Sequence, residues 1–171
     1  LVAYPLLFMV FTSFKSNSEF FVYLFLPPKH FELSNYVNAW NVGKIGLYFK
    51  NSVFVTAASV LITTVVSLMG GYALAKLHIP KADLIMDGFM VFNFIPGIAI
   101  YISLYTMIRG MHLSGGYLSI ILPYIAWQIP FSMYIIKQYF ATIPQELIES
   151  GRMDGCTEFQ TFVHIMLPLV K

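Results

Sequence analysis

Charge is what this sequence has least of. Asp, Glu, Lys and Arg make up 11% of its 171 residues, where a soluble domain carries about 25%. That scarcity argues against an ordinary soluble domain, and a net charge of only +2 implies no nucleic-acid surface. Cysteine is nearly absent too. The single Cys156 excludes an intrachain disulfide and any cysteine-based zinc pattern, and reads as a small residue in a turn. The four histidines, at 30, 78, 112 and 164, are dispersed, so no metal site is expected. A phosphate-binding loop is missing as well. "GKIG" at 43–46 lacks the G-x-x-x-x-G-K-[ST] spacing.

Apolar residues are abundant, at 58% with a mean hydropathy of +0.73. The fold class this indicates is an all-α integral membrane protein, a polytopic helix bundle. At about 20 residues per span, the chain has room for about four spans and their loops. Residues 1–14 are apolar but short, and read as the outer part of a first span whose start lies upstream; no charged n-region precedes them. Residues 15–50 read as a loop with short ordered pieces. Span two is expected over 51–77, with small residues that allow close helix approach. Span three is expected over 84–108, with Pro96-Gly97 kinking it near the middle. Span four is expected over 117–136, holding Pro123 and Pro130. Prolines so placed suggest bent helices around a cavity, or else simple packing adaptation. Asp87 is an ionisable group near a span, suited to a snorkelling or capping role.

Basic residues do not orient the chain. Lys15, Lys29, Lys44, Lys50 and Arg109 fall on one side, and Lys76, Lys81, Lys137 and Arg152 on the other. The positive-inside rule is left undecided.

Residues 145–159, within the loop 137–164, are the least apolar long stretch. Thr142 with Gln145 has the spacing of a capping box, which predicts a helix from Ile143 to about Met153. Asp154-Gly155 should end it, since glycine readily takes the left-handed cap. Thr157 with Gln160 is a second capping box and starts a helix that runs on into 165–171. Leu147, Ile148 and Met153 make the first helix amphipathic. It could lie in a partner's groove, on the membrane surface, or as a solvated loop.

The residues "ESGRMDG", nine more, then "IMLP" resemble the E-A-A-x3-G-x9-I-x-L-P cytoplasmic loop motif of ABC importer membrane subunits. Glu149, Gly155, Ile165, Leu167 and Pro168 stand in register. Asn51-Ser52, "YALAKL", "IPG" at 95–97 and "ILPY" at 121–124 extend the resemblance, to the carbohydrate-uptake permeases of the MalG-like type. Ser150 and Gly151 replace the motif's two alanines. Both stay small, though Gly151 weakens a helix by about 1 kcal/mol relative to alanine.

The resemblance implies a type I ABC importer permease, multi-pass in a bacterial cytoplasmic (inner) membrane, with 15–50 external and 137–164 cytoplasmic. It implies six spans, so that 165–171 opens a fifth and the sequence is incomplete at both ends. It implies a coupling helix that docks on a cytoplasmic ATPase dimer through Glu149, Ser150, Gly151, Arg152, Asp154, Gly155, Ile165, Leu167 and Pro168. The other implied partners are a second homologous permease subunit, an external solute-binding protein, a sugar solute and the bilayer. ATP and Mg2+ belong to the ATPase, so this chain binds no cofactor and is not itself an enzyme. Tyr101, Tyr105, Tyr124 and Trp127 are weak substrate-path candidates; they could equally be packing or interface aromatics. The competing readings are a permease for another small solute, or a carrier or scaffold subunit that works without an ATPase.

Overall fold

A computed structural model describes residues 3–170. The described residues are helical and contain no strand. The chain divides into two compact units, Leu1–Phe54 and Val55–Lys171.

The first unit holds α1 (Ala3–Ser13), α2 (Asn17–Val22), α3 (Ser34–Asn41) and the start of α4 (Ile45–Lys76). At 11 residues, α1 is too short to cross a bilayer core of about 30 Å. Leu1 and Val2 of the expected first span lie outside the described residues. Lys15, 2% exposed, donates from Nζ to the carbonyls of Tyr23 at 2.7 Å and Leu24 at 3.2 Å. Asn35 Nδ2 donates to the carbonyls of Ser13 and Lys15. The stretch expected as a loop is thus a fastened hairpin with two short helices.

In the second unit, α4 continues to Lys76. It is followed by α5 (Ala82–Val91), a 3-10 turn (Phe92–Phe94), α6 (Gly97–Gly110) and α7 (Leu118–Thr142). Among the described residues two helices, α4 and α7, are long and apolar enough to cross a membrane. Both outrun their expected bounds. Helix α4 starts at Ile45 rather than 51, and α7 reaches Thr142 rather than 136. The reason for the second is that polar Lys137 is buried inside the packing instead of beginning a loop.

The expected third span is corrected. It is not one kinked helix but two, bent by 98° at a break before Gly97. Pro96 has no N–H to continue the ladder, and Ile95 before it is extended (φ −78°, ψ 121°), the conformation proline favours in its predecessor.

Helix α4 packs through small residues spaced four apart. Val55, Ser59, Thr63, Ser67 and Gly71 are its buried stripe, as neighbours on one helical face must be. Val55 meets Ile121 and Ile125 near the start of α7, whereas Gly70 and Gly71 meet Met133 and Ile136 farther along it. The two helices therefore run parallel. The chain between them must travel from the C-terminal end of α4 to the N-terminal end of α7, and α5 with α6 makes that return. This makes the bent pair one broken crossing, since a re-entrant pair would bring the chain back to the end it left.

Contact is tightest at Gly71, where an added Cβ would stand 2.7 Å from Ile136 Cγ2 and 3.1 Å from the Lys137 backbone nitrogen. Gly71→Leu is expected to destabilise the protein by about 1–3 kcal/mol through overpacking. Gly88→Ala, whose methyl meets nothing within 4 Å, should instead stabilise it by up to about 1 kcal/mol through helix propensity. Thermal unfolding of both variants in detergent checks the contrast.

Candidate functional site: an elbow seated on the ends of two long helices

Helix α8 (Glu146–Met153) and α9 (Glu158–Thr161) are separated by an elbow, as the sequence predicts. Gly155 takes φ +83°. Cys156 N donates to the Gly151 carbonyl at 2.9 Å, and Gly155 N to that of Arg152 at 3.0 Å. These are the paired bonds of a Schellman cap. Across the elbow, Thr157 and Gln160 form the expected reciprocal capping box, with bonds of 3.3 and 2.8 Å. A π turn (Phe162–Met166) and a 3-10 turn (Leu167–Val170) continue from α9. Lys171 lies outside the described residues.

The other capping box does not form. Thr142 Oγ1 donates back to the Tyr139 carbonyl at 2.8 Å, because α7 extends through Thr142. Helix α8 begins at Glu146 with no side-chain cap, after Ile143 turns out of the helix ahead of Pro144.

An apolar core seats the elbow on the C-terminal ends of α4 and α7. It contains Tyr72, Phe140, Ile143, Ile148, Phe162 and Met166, flanked by Leu68, Ile136 and Leu167. The ring of Tyr72 lies 5.8 Å from Phe140 and 5.1 Å from Phe162. Ile148, Phe140 and Met166 are wholly buried. Ile148 therefore belongs to the chain's own interior and is not available to a partner. Met153, 88% exposed, is. Polar fasteners surround this core. Lys76 Nζ donates to the Ile143 carbonyl, and Lys137 pairs with Asp83 of α5.

The motif residues divide into two faces. Glu149, Ser150, Arg152, Asp154, Gly155 and Pro168 are exposed. The Glu149 carboxylate has no partner among the described residues, and Ser150 Oγ donates to the Leu147 carbonyl at 3.0 Å. Gly151, Ile165 and Leu167 face inward. A Cβ at Gly151 would meet the Ile165 Cδ1 tip at 2.7 Å, so the small residue lets α8 close onto the chain beyond α9. Arg152 reaches across the elbow to Glu158, with Nη2 at 2.7 Å and Nε at 2.8 Å from Oε1. Both side chains are near half-exposed, and such pairs contribute only about 0–1 kcal/mol. The second oxygen of Glu158 accepts from Tyr72 Oη at 3.4 Å.

The aromatic candidates are partly gathered. A cavity of about 640 Å³ between α4, α6 and α7 is lined by Tyr101, Tyr124 and Trp127 with Gly97, Ser59, Thr63 and Gln128 among others. Tyr105 is not part of the lining and is exposed elsewhere on α6. Sequence reasoning missed the hydroxyl face of α4. Its signal was present in the four-residue spacing of Ser59, Thr63 and Ser67. Ser59 Oγ is buried in the wall without a hydrogen-bond partner, so it has an unspent donor and acceptor. Among the described residues no group of His, Cys, Asp or Glu could hold a metal ion.

An all-helical membrane chain with a capped elbow seated on the ends of its long helices defines the class, and comparison supplies the family. Residues 67–171 match the family described as binding-protein-dependent transport system inner membrane component, and the chain belongs to it. Among its relatives, the probable ABC transporter permease protein YurM of Bacillus subtilis is 37% identical over 98% of this chain. The diacetylchitobiose uptake system permease protein NgcG of Streptomyces coelicolor is 29% identical over all of it. The arabinooligosaccharides transport system permease protein AraQ of Bacillus subtilis is 32% identical over all of it. The chain spans 56%, 57% and 62% of the length of these three relatives, respectively.

Gly155→Ala forces a side chain into the left-handed region and should cost about 1–2 kcal/mol, opening the Schellman cap. Gly151→Ala should be near neutral, since the helix-propensity gain of about 1 kcal/mol offsets a shift of the flexible Ile165 tip. Thermal melts of the two variants, with amide exchange at Gly155 and Cys156, check this.

Proposed function

We propose that this chain is a membrane-spanning permease subunit of an ATP-driven importer for a sugar or oligosaccharide. One observation carries the reading: a rigid polar elbow, exposed on its outer face and locked by its inner face to the ends of α4 and α7. Family membership and relatives named as sugar-uptake permeases support it.

In this reading, α8 docks on a cytoplasmic ATPase dimer that holds ATP and Mg2+, and hydrolysis belongs to that partner. Glu149, Ser150, Arg152 and Asp154 supply the contact surface. Gly151, Ile165 and Leu167 act differently from the expectation, holding α8 in place from behind. Closure of the ATPases displaces α8. The Schellman cap and the Ile148–Phe140–Met166 packing make α8, α9 and the two helix ends move together, because a close-packed core shifts as a unit. The motion alternates access to a path beside the broken crossing. A second permease subunit completes that path, and an external binding protein delivers the solute.

The cavity suits a polyol. Tyr101, Tyr124 and Trp127 offer apolar ring faces, while Ser59, Thr63 and Gln128 offer hydroxyl and amide partners. A few polar groups in an otherwise apolar wall are the usual makeup of a small-molecule site.

Reversing the charge at an interface position costs about 2 kcal/mol or more, so Glu149→Lys should reduce ATPase co-purification and uptake by about 30-fold at matched membrane abundance. Wild-type values for both would remove Glu149 from the docking surface. Trp127→Ala should instead leave the ATPase bound and lower sugar uptake about threefold to tenfold, the scale of one lost aromatic contact. Uptake of arabinooligosaccharides and diacetylchitobiose by cells carrying the whole transporter would measure it.

A further inference from the structure

Glu158 stands outside the motif residues, yet its carboxylate touches both α8 and α4. Its Oε1 takes two nitrogens of Arg152 on α8, at 2.7 and 2.8 Å. Its Oε2 accepts from Tyr72 Oη on α4 at 3.4 Å. Tyr72 is itself held by aromatic contacts to Phe140 of α7 and to Phe162. A single carboxylate thus joins the exposed helix to a long apolar helix through polar contacts alone. Exposed ion pairs add little to stability, so the consequence of this arrangement is directional. Two short charge-assisted bonds from one guanidinium to one carboxylate oxygen add direction to the apolar packing beside them.

We infer that Glu158 is a positioning residue that couples rotation of α8 to α4 through Arg152 on one oxygen and Tyr72 on the other. This rests on the proposed function, and refines it by naming the linkage within the chain. The 3.4 Å contact to Tyr72 is long for an O–H···O bond, whose usual distance is about 2.7–2.8 Å. It has room to shorten when α8 is displaced, so the link can bind more strongly in one state than in the other. A differential contact of this kind is what shifts a conformational equilibrium. Tyr72→Phe removes the hydroxyl and keeps the ring, so the core it helps to form stays packed.

The test uses the whole transporter in nanodiscs, with Cys156→Ser and other cysteines replaced. Spin labels at Leu61 on α4 and Tyr105 on α6 report displacement on ATP binding without any solute. Tyr72→Phe and Glu158→Gln should keep the ATPase bound, keep the melting temperature, and lower the fraction of molecules that shift on ATP by about fivefold. The double variant should be no worse than either single one, as expected when two residues form one link. A wild-type shift in Tyr72→Phe, or additive losses in the double variant, overturns the link while the permease reading stands. Loss of the bound ATPase in Glu158→Gln also overturns it, making Glu158 a docking contact. If the wild-type chain retains no ATPase, or does not shift on ATP, the permease reading fails and the link fails with it.

Discussion

The burial of Ile148 against Phe140 and Met166 is the contact on which the rest depends. All three side chains are closed off from solvent, and they come from α8, α7 and the π turn beyond α9. Remove that packing and the elbow becomes a polar loop tethered at both ends. With it, the elbow is an extension of the long helices. Tyr72 brings α4 into the same cluster, so one small core fastens α4, α7, α8 and the π turn together.

The seam between the two long helices is built differently. Along α4, small and hydroxyl residues let α7 approach, from Val55 against Ile121 and Ile125 to the tightest contact at Gly71, close to the elbow. Between those contacts the wall opens into the cavity where α6 starts. Proline has a different effect at each site. Pro96 ends a helix and turns the chain by 98°, while Pro123 and Pro130 sit inside an unbroken α7. Bulk from Pro123 lines the cavity.

Several cations act as internal fasteners. Lys15 bonds backbone carbonyls, Lys76 the Ile143 carbonyl, Lys137 pairs with Asp83 and Arg152 with Glu158. Discounting them does not make the basic residues orient the chain, because three of the four stand on the side of the elbow. Arg152 turns across the elbow to Glu158 and not to Glu149 on its own helix. Glu149 is left exposed, as the proposed docking role requires.

The sequence alone determined the class, the elbow and its caps. Scarce charge and long apolar runs require a membrane solvent, and Gly155, Thr157 and Gln160 act through bonds within a few residues, which spacing reveals. The resemblance over 145–168 rested on the same local pattern. Tertiary structure decided the rest. Whether Thr142 caps α8 or ends α7 depends on Lys137 and Phe140 being buried by α4, α5 and the elbow. Whether Pro96 kinks a span or splits it depends on the return that parallel α4 and α7 impose. Tyr105 has the same aromatic character as Tyr101, yet only Tyr101 reaches the cavity. Tyr72 and Glu158 are 86 residues apart, and no local rule of spacing can bring such a pair together.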